Sequence, residues 1–325
     1  MIKGNLRDSP HIRHKDSNQG IMRDVIIALM PVLFAATYAF GFRVLLISAV
    51  GIITSVGSEY IYQKITNKKV TIHDLSAVVT GLLLALSLAS NVPLWTVVLG
   101  SIFAIVVIKQ LPGGIGNNPL NPAVSARLML KIFFQPQIAN WVQPGPDGIS
   151  SSTPLEFIGN GVESLPEGMP TFLDVFMGNI GGNSGEVIKW AILIGLAYLL
   201  IRKIVDIRVP LATLLGTFLF MLLVSGADFA FASYHVLTGT LLFAAVFMVT
   251  DYTSSPLNPR ARIAFGFSVG LMTGILRYLF NFPGGIGVAI ITMNLFANKF
   301  DTSFTQKIFG VNVKEVRHEN YKLNV

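Results

Sequence analysis

Ten apolar runs, several of them long enough to cross a lipid bilayer, follow one another along this chain and leave little else for it to fold into. They lie near residues 25–40, 44–63, 77–90, 94–111, 121–134, 187–201, 209–225, 234–250, 263–280 and 285–298. A hydrocarbon core about 30 Å thick takes about 20 apolar residues as a helix. Lipid offers backbone N–H and C=O groups no partner, so each run must be helical. The chain is 52% hydrophobic and only 13% charged, where a soluble domain averages about 25% charged residues. An all-α integral membrane protein with about ten transmembrane helices is expected.

Lysine and arginine set the orientation. With the first run entering from the inside and alternation thereafter, 19 of the 24 cations fall on inner segments, counting Lys109 at the inner end of the fourth run. Arg43 alone falls on an outer segment, and Arg127, Lys131, Lys189 and Arg277 fall within runs. Cytoplasmic segments of membrane proteins are enriched in such cations, so both termini are expected in the cytoplasm of a multi-pass protein of the cell inner (plasma) membrane. The run 121–134 is short and holds Arg127 and Lys131. If it did not cross, every later basic cluster would lie outside, so a short or broken crossing helix is expected there.

The net charge of +7 is explained by those flanking cations. No basic stripe with interleaved aromatics suggests nucleic acid. The segment 135–186 carries Asp147, Glu156, Glu163, Glu167, Asp174 and Glu186 and no lysine or arginine. Its glycine, proline, serine and asparagine content predicts an irregular, surface-exposed external loop.

Two stretches echo each other. His73 is followed by Pro112-Gly-Gly-Ile-Gly116, and His235 by Pro283-Gly-Gly-Ile-Gly287. With five runs per half, the halves would be antiparallel, an inverted repeat. The match of Pro119-Leu-Asn-Pro122 with Pro256-Leu-Asn-Pro259 breaks that register and is taken as a turn signal used twice. The chain then divides into a cytoplasmic segment 1–24, a first membrane repeat 25–134, the external loop 135–186, a second membrane repeat 187–298 and a cytoplasmic tail 299–325.

Catalytic groups are scarce. There is no cysteine, hence no disulfide, iron–sulfur cluster or zinc-thiolate site within the chain. Three of the five histidines lie in the terminal tails, and no two have ligand spacing inside a run, so no metal site is expected. His73 and His235 read as interfacial or helix-starting residues. Glu59 is the one carboxylate well inside a run, and a charge there is costly. Thr153, Pro154 and Glu156 form a capping-box pattern at a helix start.

The whole chain resembles the D subunit of the Rnf complex, related to the B subunit of the sodium-pumping NADH:quinone oxidoreductase. The likeness rests on Ser9-Pro-His-Ile12, the ten runs, the two glycine motifs, Asn118-Pro-Leu-Asn-Pro-Ala123 and Asp147-Gly-Ile-Ser-Ser-Ser-Thr153-Pro-Leu. It implies a fold similar to that of urea channels. It also implies FMN joined covalently, by a flavin transferase, to a threonine in a Ser-Gly-Ala-Thr-like motif through a phosphodiester. By position that threonine is Thr153 and the leading serine is Ser150. Ser151 and Ser152 stand where the family often has glycine and alanine. A helix start at Thr153 would offer free N–H groups and a positive dipole end to the phosphate.

The implied function is a flavoprotein component of a translocase that moves electrons between ferredoxin and NAD and couples this to Na⁺ or H⁺ transport. Partner subunits bearing further flavins and iron–sulfur centres are implied, since this chain holds no complete active site. The family also carries riboflavin in this kind of subunit. A channel or secondary transporter for a small neutral solute fits the repeat and the glycine breaks as well, and a membrane scaffold is a third possibility.

Overall fold

The structure, a computed structural model, describes residues 17–145, 152–158, 165–166 and 168–304. Among them, regular structure is helical. The first half holds α1 (Asn18–Phe40), α2 (Arg43–Ile65), α3 (Ser76–Leu86), α4 (Leu94–Ile102) and α5 (Pro122–Phe133). Helix α4 runs on as a π-helix over Phe103–Gln110. Short turns α6 (Gln135–Ile138), α7 (Pro154–Phe157) and α8 (Phe172–Met177) follow. The second half holds α9 (Lys189–Ile201), α10 (Arg208–Val224), α11 (Phe229–Leu237), α12 (Leu241–Phe247), α13 (Pro259–Phe280) and α14 (Gly285–Leu295), and α15 (Ala297–Phe304) ends it.

Every predicted run is occupied by one helix or a consecutive pair. Among the described residues α1, α2 and α13 are long and apolar enough to cross a bilayer alone. α11 and α12 together form a fourth candidate, bent by 56° at the break Thr238-Gly-Thr240. Helix α5 has 12 residues, about 18 Å of axis, which is shorter than the hydrocarbon core. The proline motifs act alike. Asn121 caps α5 by accepting from the Val124 N–H (3.2 Å), and Asn258 caps α13 by accepting from the Arg260 N–H (2.9 Å). Pro122 and Pro259 then take the first helical position, where no N–H is needed.

Helices in lipid gain no hydrophobic energy from one another, so small residues that let backbones meet carry the packing. Gly270 of α13 is the clearest case. A Cβ there would lie 1.9 Å from the Thr213 carbonyl of α10, and Thr217 Oγ1 donates to the Gly270 carbonyl across the same contact (2.8 Å). Gly81 of α3 meets α2 in the same way, its Cβ position 2.5 Å from the Gly51 carbonyl.

Three expectations are corrected. Helix α1 starts at Asn18, not near residue 25, because Ser17 Oγ accepts from the Gly20 N–H (3.1 Å) and caps it. Asp24 therefore lies within the helix, buried, paired with Arg202 (3.0 Å) and accepting from Tyr198 OH (2.9 Å). His235 is neither interfacial nor helix-starting. It lies inside α11, 5% exposed, with its ring 4.6 Å from that of Phe231. The acidic loop is not surface-exposed throughout. Residues 180–188 are buried, and the N–H groups of Ser184 and Gly185 donate to the Leu88 and Leu86 carbonyls (2.9 and 2.7 Å). The loop thus supplies hydrogen bonds to the broken end of α3, which lipid could not.

Candidate functional site

Two cavities lie at opposite ends of α3 and α5. One, of about 220 Å³, is lined by the starts of these helices, including Ser76 and Asn121, and by Lys109, Ile115 and Asp251. The other, of about 380 Å³, is lined by Ser87 and Leu88, by Arg127 and Lys131, and by Thr153, Glu156 and Glu186. Gly239 and Thr240 at the α11–α12 break, and Asn281 to Gly284 before α14, complete its wall. Each cavity thus takes in part of one glycine motif.

Beside the smaller cavity a lysine is clamped between two carboxylates. Lys109 Nζ donates to Glu59 Oε1 (2.7 Å) and to Ser76 Oγ (2.6 Å). Ser76 Oγ in turn donates to Asp74 Oδ1. Gln110 Nε2 also donates to Glu59 Oε1 (2.7 Å). Glu59 is fully buried and Lys109 is 2% exposed. Among the described residues Glu59 Oε2 and Asp74 Oδ2 have no hydrogen-bond partner. Lys109 therefore does not flank a membrane segment, as its place in the charge count assumed. The π-helical turn, a feature frequent at functional sites, carries it at its end.

The larger cavity holds the residue singled out by the sequence. Thr153 is 8% exposed, precedes Pro154 at the first position of α7, and its N–H donates to Glu156 Oε2 (3.3 Å). The capping pattern is as the sequence indicates, but α7 has only four residues. One turn sums too few peptide dipoles to attract an anion appreciably. Positive charge reaches the cavity instead from α5, whose Arg127 and Lys131 are four residues apart and share a helix face. Ser150 lies outside the described residues.

Glu186 organises the far wall. Its Oε2 accepts from Asn183 Nδ2 and from Thr240 Oγ1 (2.7 Å each) and stands 3.9 Å from Arg127 Nη2. The Glu186 carbonyl accepts from Lys189 Nζ. Arg277 lies within electrostatic reach of Glu186 too and donates to the carbonyls of His235 (2.5 Å) and Pro283 (3.2 Å). One carboxylate thus faces three cations. Trp141 Nε1 donates to Asn183 Oδ1 (3.1 Å), fixing the indole at the rim. Lys131 Nζ sits 3.8 Å from the centre of the Phe282 ring. Partial burial raises the Glu156 pKa, and the Thr153 N–H and the Lys131 charge oppose that rise.

Residues 5–310 match the family model described as NQR2, RnfD, RnfE. The chain belongs to this family. The D subunit of the Na⁺-translocating ferredoxin:NAD⁺ oxidoreductase complex of Acetobacterium woodii is 39% identical, over 94% of this chain and 95% of its own length. The D subunit of the proton-translocating ferredoxin:NAD⁺ oxidoreductase complex of Clostridium ljungdahlii is 30% identical, over 95% and 98%. The D subunit of the ion-translocating oxidoreductase complex of Yersinia enterocolitica is 29% identical, over 94% and 98%. Family membership and the apolar helices together make this a multi-pass membrane protein.

In this family member, sequence reasoning found Thr153 and the anomalous Glu59, Arg127 and Lys131. It missed the grouping of Arg127 and Lys131 with Thr153, and it read Glu186 as one acid of an exposed loop. The available signal was the four-residue spacing of two cations in an apolar run.

Proposed function

We propose that this chain is the membrane subunit of an ion-translocating ferredoxin:NAD⁺ oxidoreductase of the Rnf type, bearing FMN as a phosphodiester on Thr153. Relatives matched over 95% or more of their length are named as subunits of such complexes, one with Na⁺ and one with protons as the ion. The observation that carries the site is the position of Thr153, largely buried yet lining a cavity of about 380 Å³. Trp141 and Phe282 give that cavity aromatic walls, and Asn183 and Thr240 give it polar ones. This mixture suits a planar heterocycle on a polar tether. When bound, the isoalloxazine supplies the electron transfer. The chain's own residues hold the tether, shield it and set the local charge. Ser150 belongs to the recognition motif of the flavin transferase, and a riboflavin accompanies the FMN in this subunit. Other Rnf subunits, with flavin and iron–sulfur centres, pass electrons to and from it.

The same proposal gives the membrane topology: ten crossings in two inverted five-helix repeats, both termini cytoplasmic and Thr153 on the outer face. The packing pattern supports it. α1 meets α9 and α5 meets α14, each helix touching its own counterpart, as helices beside a two-fold axis do. α2 packs on α3 and α4, while α10 packs on α11, α12 and α13. The third element is short in one half and broken in the other.

The test is direct. Co-expressed with its flavin transferase and denatured, the chain should fluoresce in a gel, and the Thr153 peptide should carry the mass of FMN less water. Thr153→Ala should lose the signal completely, and a variant that still fluoresces sinks the site. The chain has no cysteine, so single introduced cysteines report topology. Asn140→Cys should react with an impermeant maleimide on intact cells, and Lys64→Cys only after permeabilisation. The reverse pattern overturns the orientation.

A further inference from the structure

Two cations in the Thr153 cavity are left without hydrogen-bond partners. Among the described residues Arg127 makes no hydrogen bond. Its nearest carboxylate oxygen, Glu186 Oε2, is 3.9 Å away, beyond the 2.7–2.9 Å of a charge-assisted bond. That oxygen already accepts from Asn183 and Thr240. Lys131 likewise has neither a hydrogen bond nor an ion pair there, and its ammonium rests on the Phe282 ring. Gly284 leaves room for it, since a Cβ at that position would come 2.8 Å from Lys131 Nζ. Five guanidinium and three ammonium donors thus border a half-enclosed space that Thr153 also lines.

Both cations are half-buried, and Arg127 has only the distant Glu186 carboxylate as an ion-pair partner, so part of their hydration is lost without a close acceptor in return. An anion in the cavity would supply that acceptor. The planar guanidinium fork suits two oxygens on one phosphorus, and the ammonium acts as a point charge. Glu156 and Glu186 are the carboxylates that line the cavity. Each is engaged, Glu156 by the Thr153 N–H and Glu186 by Asn183 and Thr240. Neither supplies an oxygen at hydrogen-bond distance to Arg127 or Lys131.

We propose that Arg127 and Lys131 form an oxyanion cradle for the phosphoryl group carried on Thr153, with Glu186 positioning the guanidinium from behind. This rests on Thr153 as the attachment residue, and it assigns the phosphate contacts to α5 instead of the α7 helix start. The cradle acts without the covalent bond, so a flavin phosphate is held before it is attached.

The test removes the hydroxyl and keeps the cradle. The full-length Thr153→Val chain in nanodiscs is titrated with free FMN and with riboflavin, which lacks the phosphate, and binding is read from flavin fluorescence quenching. FMN should bind at least about tenfold more tightly than riboflavin, the size of one charge-assisted bond, and raised salt should shrink the difference. Lys131→Met and Arg127→Gln on that background should each remove most of the preference by weakening FMN binding far more than riboflavin binding, and Arg127→Lys should restore part of it. Lys131→Met serves if Arg127→Gln fails to fold, because Lys131 holds no other bonds. Equal affinity for the two flavins, no measurable FMN binding, or a preference that survives both substitutions overturns the cradle. Mass spectrometry of the unsubstituted chain decides separately whether Thr153 is modified. A modified threonine without phosphate preference sinks only the cradle. Preference at an unmodified threonine sinks only the attachment.

Discussion

The two ends of α3 and α5 are built with opposite charge balance. At one end a single ammonium, Lys109, stands between Glu59 and Asp74 and is bonded to the cluster through Glu59 Oε1 and Ser76 Oγ. At the other, Glu186 answers to Arg127, Lys189 and Arg277, while Lys131 has only the more distant charges of Glu156 and Glu186. At the first end the lysine is held by two fixed hydrogen bonds. The second keeps cationic donors in reserve. Both ends carry lysine on a membrane helix, yet one lysine serves the fold and the other is available to a ligand.

Removing each lysine should break or sharpen that contrast. Lys109→Met leaves Glu59 buried and charged with only amide donors, a loss that typically costs about 3–5 kcal/mol. Denaturant unfolding in detergent should show it, and Glu59→Gln added to Lys109→Met should recover much of it. Lys131→Met forfeits only a cation–π contact, about 1 kcal/mol or less. Equal losses at both ends would abolish the distinction.

Glycine substitutions should follow next in size. Gly185→Ala drives a Cβ to 2.8 Å from Leu86 Cβ and 2.9 Å from the Leu86 carbonyl, an overpacking of about 1–3 kcal/mol. Gly284→Ala meets only the mobile tip of Lys131 and should cost far less, with the ammonium displaced from Phe282. Thermal melts of the two variants separate them, and a Gly284→Ala loss as large as that of Gly185→Ala would mean Lys131 is not free to move.

The smallest effects are in pH dependence, and they should have opposite sign at the two ends. Glu156, by the Thr153 cavity, has its pKa raised by partial burial. Its ionisation opposes folding, so stability falls as pH rises from the ordinary glutamate value through the folded one. Asp206, next to residues that line the Lys109 cavity, has its pKa lowered by the hydrogen bonds from Arg208. Its contribution is present above the ordinary aspartate value and is lost as pH falls through the folded one. Glu156→Gln and Asp206→Asn should each flatten its own slope in melts taken across the acid range, and slopes of the same sign would refute the assignment.

What the sequence made legible was whatever acts locally. Apolar runs marked the helices, the repeated Pro-Leu-Asn-Pro marked the turns before α5 and α13, and Thr153 with Glu156 marked a cap. What it hid was long-range pairing. Lys109 sits at the end of an apolar run, just before a glycine turn, and looks like a flanking cation, because its partner Glu59 is 50 residues away. The cavity that Thr153 lines is completed by residues of α5, the α11–α12 break and the 281–284 turn. The acidic loop looked exposed because nothing in its composition tells that residues 180–188 fold back onto the end of α3.

The partition between the two cavities is thin. On α5 Ala123 lines one and Arg127 the other, and the same holds for Leu83 of α3 and Ser87 just after it. Four residues of helix are about 6 Å, a fraction of the roughly 30 Å of hydrocarbon that usually insulates a membrane. In the proposed topology the cavities open to opposite faces of the membrane; with water in both, an imposed voltage would fall mostly across this wall, and the local electric field would be several-fold stronger than in the surrounding lipid. A unit charge passing from one cavity to the other would then experience nearly the full 2.3 kcal/mol per 100 mV or so within little more than one helical turn.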